Sequence, residues 1–288
     1  MTGKNTVFQQ KFTLKVRGKL FDLSKPQIMG VLNLTPDSFY DGGRNNNLID
    51  ALKKTEQMLS EGAHIIDIGA YSSRPGAEHI SEKTESDRLI PVLRAIVNEF
   101  PDALLSIDTF RSEIAKIAVS EGAGIINDIF AGSMDDEMFQ TIAKLGVPYI
   151  MMHMKGTPQT MSSMNDYKDI TIEVCKYFVS RIEQLKNLGV NDLIIDPGFG
   201  FAKNLEQNYE LLANLEHLKS TGHPILVALS RKSMIYKLLE TDSENALNGT
   251  TAANTIALMK GANILRVHDV KAAIETLKIV NQLNIHHY

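Results

Sequence analysis

Three side chains at the ends of apolar runs could together hold a flat, nitrogen-rich ring. Asp108 ends LLSID, Asn127 lies in GIIND and Asp196 ends LIID; Lys232, in LSRKS, could join them. Carboxylates accept ring N–H and amino protons, a carboxamide donates and accepts, and an ammonium donates to a ring carbonyl. Buried together, they would satisfy a heterocycle carrying all of those groups. A second set, Asn33, Arg74, Arg266 and His268, places three potential cations around a carboxamide, the chemistry of a phosphate or diphosphate subsite. Each residue alone has a plainer role. Asp108 and Asp196 precede Thr109 and Pro197, where a helix N-cap would suit. Arg74 alone reads as a solvated loop arginine, and His153 and His268 alone as structural histidines. His268 has partners of matching chemistry; His153 does not. Asp67, in HIIDIG, is followed by Gly69 and a long loop, which suggests a structural carboxylate.

The elements that must position these residues form a repeating pattern. Short apolar runs at 27–33, 64–69, 103–108, 123–127, 147–152, 192–196, 224–229 and 263–267 read as strands. Helical spacing falls at 48–61, 83–99, 111–121, 135–145, 169–188, 204–219, 245–260 and 269–282. Apolar strands alternating with amphipathic helices specify a parallel sheet covered on both faces. Eight such units predict an α/β protein of the (β/α)8 TIM-barrel class, whose strand ends point into one mouth. Residues 7–24 alternate as a β-hairpin turning near Arg17-Gly18, placed to plug the opposite end. The loops after strands one and two, 34–47 and 70–82, are long and would project over the mouth. No linker or charge block divides the chain, so one domain spanning residues 1–288 is expected, with the barrel over about 25–285.

Composition narrows the function classes. A net charge of −4 argues against nucleic acid or an anionic membrane as the main partner. The single cysteine, Cys175, excludes an internal disulfide and suits a reducing cytosol; its helical spacing places it on a buried face. The first residues, MTGKNTVFQQKF, carry no apolar signal core, and no run reaches the length of a membrane span. A cytoplasmic enzyme acting on small molecules is the expectation.

The blocks IMGVLNLTPDSFYDGG, SSRPGAE, SIDTFRSE, INDI, HMKGTPQTM, IIDPGFGFAKN, LSRKSMI and GTTAANTIALMKGANILRVHDV resemble, in order, the signatures of the dihydropteroate synthase family. The resemblance runs from about residue 25 to the C-terminus. It implies a TIM barrel that acts as a homodimer and joins 4-aminobenzoate to (7,8-dihydropterin-6-yl)methyl diphosphate, with Mg2+. Position by position, it implies that Asp108, Asn127, Asp196 and Lys232 hold the pterin. It assigns Asn33, Arg74, Arg266 and His268 to the diphosphate, with Asn33 also a Mg2+ ligand. Ser73, Phe201, Lys232 and Ser233 would line the aminobenzoate pocket, and Phe39, Asp41 and Pro75 would close over the reacting groups. Lys232, Arg266, Asp108 and Asp41 are the residues expected to bear on catalysis. The chain departs from the family in loop two. Tyr71 replaces a carboxylate and Ser73 a threonine, both outside the pterin subsite.

Rival readings make distinct demands. A pterin-binding methyltransferase domain would lack the SRKS lysine and the RVHDV ligands, and a silent paralogue would have eroded loops. A sugar-phosphate isomerase would carry a Gly-rich phosphate loop after strand seven or eight, unlike LSRKSMI. On the synthase reading, Arg266→Ala should chiefly weaken the diphosphate ligand.

Overall fold

The structure, a computed structural model, describes residues 12–34, 43–72, 79–158 and 160–285. It opens with an antiparallel hairpin, β1 (Thr13–Val16) and β2 (Lys19–Asp22), paired from Thr13↔Asp22 to Val16↔Lys19. Arg17 and Gly18 both take positive φ, 47° and 77°, the conformation a two-residue hairpin turn requires. The expected turn is therefore in place.

Eight parallel strands follow: β3 (Gln27–Asn33), β4 (Ile65–Gly69), β5 (Leu105–Asp108), β6 (Ile125–Asp128), β7 (Tyr149–Met152), β8 (Leu193–Asp196), β9 (Leu226–Val227) and β10 (Ile264–Val267). They pair in the order β8-β7-β6-β5-β4-β3-β10-β9, and a parallel bridge between Ile195 and Ile225 draws the two edges together. The result is a nearly closed barrel with helices outside. These are α1 (Gly43–Ser60), α2 (Glu82–Glu99), α3 (Ser112–Ser120), α4 (Met138–Leu145), α5 (Ile170–Asn187), α6 (Leu205–Ala213), α7 (Ser233–Tyr236), α8 (Leu247–Met259) and α9 (Val270–Ile285). The expected (β/α)8 architecture is observed.

Two apolar cores divide the work. One lies between sheet and helices and includes Ile66, Ile107, Ile126, Met151 and Ile195. The other fills the barrel's lower interior with Met29, Ile65, Ile125, Ile150, Ile194, Leu226 and Ile264, and Leu14, Val16 and Leu23 pack against that layer. The hairpin thus plugs the N-terminal end. Arg17 fastens it there, donating to the carbonyls of Ala103 (3.1 Å) and Gly122.

Several boundaries differ from the sequence expectation. Three strands start two residues late, β5, β6 and β7, because the residues before them complete the turn out of the preceding helix; Ala103 N–H bonds Phe100 O. Of the expected strand 224–229, only Leu226–Val227 join the ladder. Pro224 has no N–H, and Leu229 already closes a turn by accepting from Lys232 N–H (3.2 Å). The helix expected over 204–219 breaks at Asn214, where φ is −107°, and continues as a 3-10 turn over Leu215–Thr221. Loop one is shorter than its expected end at residue 47. Helix α1 starts at Gly43, its length overriding the weak helix preference of Asn45, Asn46 and Asn47. Cys175 is half-buried rather than fully packed. Among the described residues, no helix is long and apolar enough to cross a membrane.

Candidate active site

The mouth is built by register. Asn33, Gly69, Asp108 and Asn127 are successive partners across β3, β4, β5 and β6, so they lie at one level of the barrel. Register partners in a parallel pair project to the same side of the sheet, which turns strand-end polarity into a shared floor. Gly69 leaves that floor open, since a Cβ there would lie 3.3 Å from Asp108 Cβ. Neither Asp108 nor Asp196 caps a helix: α3 starts after Arg111 and α6 after Asn204. Asp196 instead accepts from the Gly198 N–H (2.8 Å), which folds the loop after β8 back over the strand end.

The guanidinium of Arg266 occupies the centre. Its Nε donates to Asp67 Oδ2 (2.7 Å) and its Nη2 to Asp108 Oδ2 (2.8 Å), while Asn127 Nδ2 also donates to Asp67 Oδ2 (3.1 Å). Asp67 is fully buried, and its role as an anchor for Arg266 and Asn127 agrees with a structural carboxylate. Burial pushes the Asp108 carboxyl up to about 7, against the pull of Arg266 and with the push of Asp67. Burial pulls the other way on Arg266, but the attraction of Asp67 and Asp108 outweighs it and holds the guanidinium above its usual range. Burial also raises Asp196, opposed by the charge of Lys232.

Lys232 and Phe201 meet as expected. The ammonium lies 4.6 Å from the Phe201 ring centroid and donates to the Phe199 carbonyl. Burial lowers Lys232 to about 8, and Asp196 counters that shift. Ser233 begins α7 beside it. His268 stands at the exposed rim, with its backbone N–H and ring Nδ1 both 3.1 Å from Ser230 Oγ. Arg266 and His268 are two residues apart and leave the chain on the same side, one reaching the floor and the other the rim. Asn33 is half-buried at the end of β3, where it neighbours β4 and β10. Phe39, Asp41, Ser73, Arg74 and Pro75 lie outside the described residues.

Some of the arrangement had no place among the residues singled out from sequence. Lys203 donates to the carbonyls of Gly198 (2.8 Å) and Phe201 (2.9 Å) and to His153 Nδ1 (3.1 Å), stapling the loop that carries Phe201 to β7. Burial, then the charges of Lys203 and Lys155, depress His153 well below the usual imidazole range, so it is a neutral acceptor. An apolar wall of Phe110, Ile129, Phe130, Met152 and Met154 flanks the floor, with Phe110 and Phe130 edge to face at 5.1 Å. Its sequence signal is position alone: Met152 ends β7, and the other members follow a strand end within a few residues.

Buried carboxylates and a carboxamide beside a cation–aromatic pair, gathered at the mouth of a (β/α)8 barrel, are the arrangement of a barrel enzyme that holds its substrates at the strand ends. The family described as pterin binding enzyme matches residues 29–268, and the chain belongs to that family. Within it, proteins similar to this chain include dihydropteroate synthases. The dihydropteroate synthase of Escherichia coli (strain K12) is 44% identical over 269 residues, covering 93% of this chain and 95% of the relative. A crystal structure of the Yersinia pestis dihydropteroate synthase with a sulfonamide drug complex superposes with a TM-score of 0.89 at 43% identity, covering 95% of this chain and 100% of that one. The Xanthomonas albilineans dihydropteroate synthase with 4-aminobenzoic acid gives 0.88 at 37% identity, covering 94% and 98%.

Proposed function

We infer that this chain condenses 4-aminobenzoate with (7,8-dihydropterin-6-yl)methyl diphosphate, yielding 7,8-dihydropteroate and diphosphate in folate biosynthesis. The observation that carries this reading is the pairing of two subsites in one mouth. Asp108, Asn127 and Asp196 face a ring, and Lys232 bridges them to the Phe201 side. Asp196 and Asp108 accept ring N–H and amino protons, Asn127 offers a donor and an acceptor, and the Lys232 ammonium donates to the ring carbonyl. The aminobenzoate lies against Phe201, Lys232 and Ser233. The family resemblance assigns Ser73, Phe39 and Pro75 to the same substrate and Asp41 to the residues expected to close over the reacting groups.

The diphosphate is held by His268, Arg74 and the outer edge of Arg266, with Asn33 close by. Among the described residues, Arg266 uses Nε and Nη2 on its carboxylates, and Nη1 is the nitrogen that would turn to a phosphate oxygen. The donor chemistry fits Mg2+: Asn33 supplies a neutral hard oxygen, and no cluster of His, Cys, Asp or Glu suited to a metal occurs among the described residues. Mg2+ is commonly held by few protein ligands together with substrate phosphates. Bound there, it would neutralise charge on the leaving diphosphate. The cationic side chains stabilise the same developing charge.

The arylamine is neutral near pH 7 and needs no strong base, so the protein's part is positioning and water exclusion. The electron-rich dihydropterin stabilises the carbon left by the departing diphosphate, and departure precedes attack. Stereochemical inversion at an isotopically chiral methylene, with no diphosphate release before aminobenzoate binds, would sink that order. Sulfonamide drugs, as aminobenzoate mimics, compete in the Phe201–Ser233 pocket. The enzyme works in the cytoplasm as a homodimer; exposed Ile256 and Met259 on α8 and Ile279 and Leu283 on α9 support association of apolar helix faces. The deciding assay is sustained turnover, in which steady diphosphate release and dihydropteroate formation must require both substrates. Release with the pterin diphosphate alone at the full rate, or none with both, overturns the reading.

A further inference from the structure

We propose that Arg231 is a positioning residue of the synthase reaction, tying the turn that carries Lys232 and Ser233 to the strand end that carries Arg266 and His268. The inference rests on the proposed roles of those four residues. The need for such a tie comes from the shortness of β9. Its ladder ends at Val227, five residues before Lys232, so no sheet pairing sets where the lysine stands. Strand β10 runs to Val267, directly beneath His268. The two halves of the mouth are therefore built with unequal backbone support.

Side chains supply the missing support. Arg231 Nε donates to Asp269 Oδ2 (2.9 Å) and Nη2 to Asp269 Oδ1 (2.7 Å), a two-point grip that fixes orientation as well as distance. Both side chains are largely covered, at 30% and 22% exposure, so solvent screens the pair less than an ordinary surface bridge. One residue back along each segment, Ser230 Oγ meets the N–H and the ring of His268. Two consecutive residues after β9 thus bond two consecutive residues after β10.

The backbone of Arg231 points to the same conclusion. It sits third in the turn closed by Lys232 N–H to Leu229 O, with φ at 56° in the left-handed region. A residue with a Cβ is disfavoured there, and glycine would adopt it freely. Its N–H is held by Thr250 Oγ1 (3.1 Å) from α8. A strained arginine at a position suited to glycine implies that the side chain is what the position needs. The tie holds the aminobenzoate side and the diphosphate side in one relation, on which displacement at the carbon between them depends.

The test compares Arg231→Gly, Arg231→Lys, Asp269→Asn and the Arg231→Gly/Asp269→Asn double variant in the intact chain. Arg231→Gly relieves the backbone and removes the tie together with two long Nη1 contacts to the carbonyls of Ser243 (3.4 Å) and Glu244 (3.5 Å), which Asp269→Asn leaves in place. The expected result is a fall of about ten- to a hundredfold in kcat, or a rise of that size in KM for 4-aminobenzoate. The double variant should lose no more than either single one, and Arg231→Lys should recover part of the activity. The circular dichroism spectrum and the cooperativity of denaturation should stay as in wild type, which a general collapse would not allow. Arg231→Gly at wild-type kcat and KM, or losses that multiply in the double variant, would overturn the proposal. If wild-type protein makes no dihydropteroate, the proposed function falls instead. The tie is then read by hydrogen exchange at the amides of residues 230–233 in Asp269→Asn, where exchange equal to wild type refutes it.

Discussion

Arg266 is shared between two buried carboxylates, and that changes what its removal should do. From sequence it belongs with the diphosphate ligands, and Arg266→Ala should spare the pterin. In the fold its Nε and Nη2 hold Asp67 and Asp108, so the alanine variant strands two acids in the barrel. Breaking a buried pair from one side costs about 3–5 kcal/mol. The expected outcome is a large fall in the denaturation midpoint together with loss of pterin binding; a variant of wild-type stability that loses only diphosphate affinity would contradict the geometry. Asp196→Ala removes ring acceptors without unpairing a cation to the same degree, and calorimetry should show pterin diphosphate binding abolished. The pH response follows from the same neighbours. Asp108, at about 7, is protonated and a poorer acceptor below that pH; Lys232, at about 8, loses its charge above it. Catalytic efficiency should therefore peak between them and fall by up to about tenfold per unit on each side. A profile flat from well below 7 to well above 8 would count against both assignments.

Among elements, the segment from β8 to α6 bears most on the site. It carries Asp196, Phe201 and Lys203 in eight residues and starts α6 with a capping box, in which Asn204 and Gln207 bond each other's backbone N–H (2.8 and 2.9 Å). Asn204→Ala should lower stability by about 1 kcal/mol in denaturant titrations. Ala202, two residues earlier, takes φ 49°, which glycine adopts at less steric cost. Ala202→Gly should therefore raise the melting temperature slightly, or at least not lower it; a clear drop would mean the methyl's packing beside Met154 and Met161 matters more than the dihedral. These element-level features were partly legible. Asn204 is an N-cap residue by type and spacing, whereas the left-handed turn at Ala202 has no sequence signature without glycine.

For the whole molecule, closure and plugging decide stability. The hairpin adds no ligand residue, yet Leu14 and Val16 complete the lower layer of the barrel interior and are almost fully buried. Leu14→Ala should cost about 2–5 kcal/mol and leave KM for both substrates unchanged, because the layers between the plug and the floor are packed. A changed KM for the pterin would mean that the plug and the floor are mechanically coupled. Strand pattern and strand-end polarity were readable because a parallel sheet covered by helices demands apolar runs, and its mouth demands polar ends. Contacts across the barrel were not readable in the same way. Arg266 meets Asp67 and Asp108 across 199 and 158 residues of chain, and such pairs exist only once the first and last strands are neighbours.

By itself, the order of residues determined the eight-unit barrel, the hairpin and a floor of Asp108, Asn127 and Asp196. Those follow from local periodicity and from a topology that sends every strand end to one place. Tertiary structure alone decided which charges share a partner. It set Arg266 between two acids, bound Lys203 to the carbonyls of Gly198 and Phe201, and joined Arg231 to Asp269. The reason is physical: the partner and protonation of a buried charge depend on what folding brings within a few ångströms, and those neighbours come from distant parts of the chain.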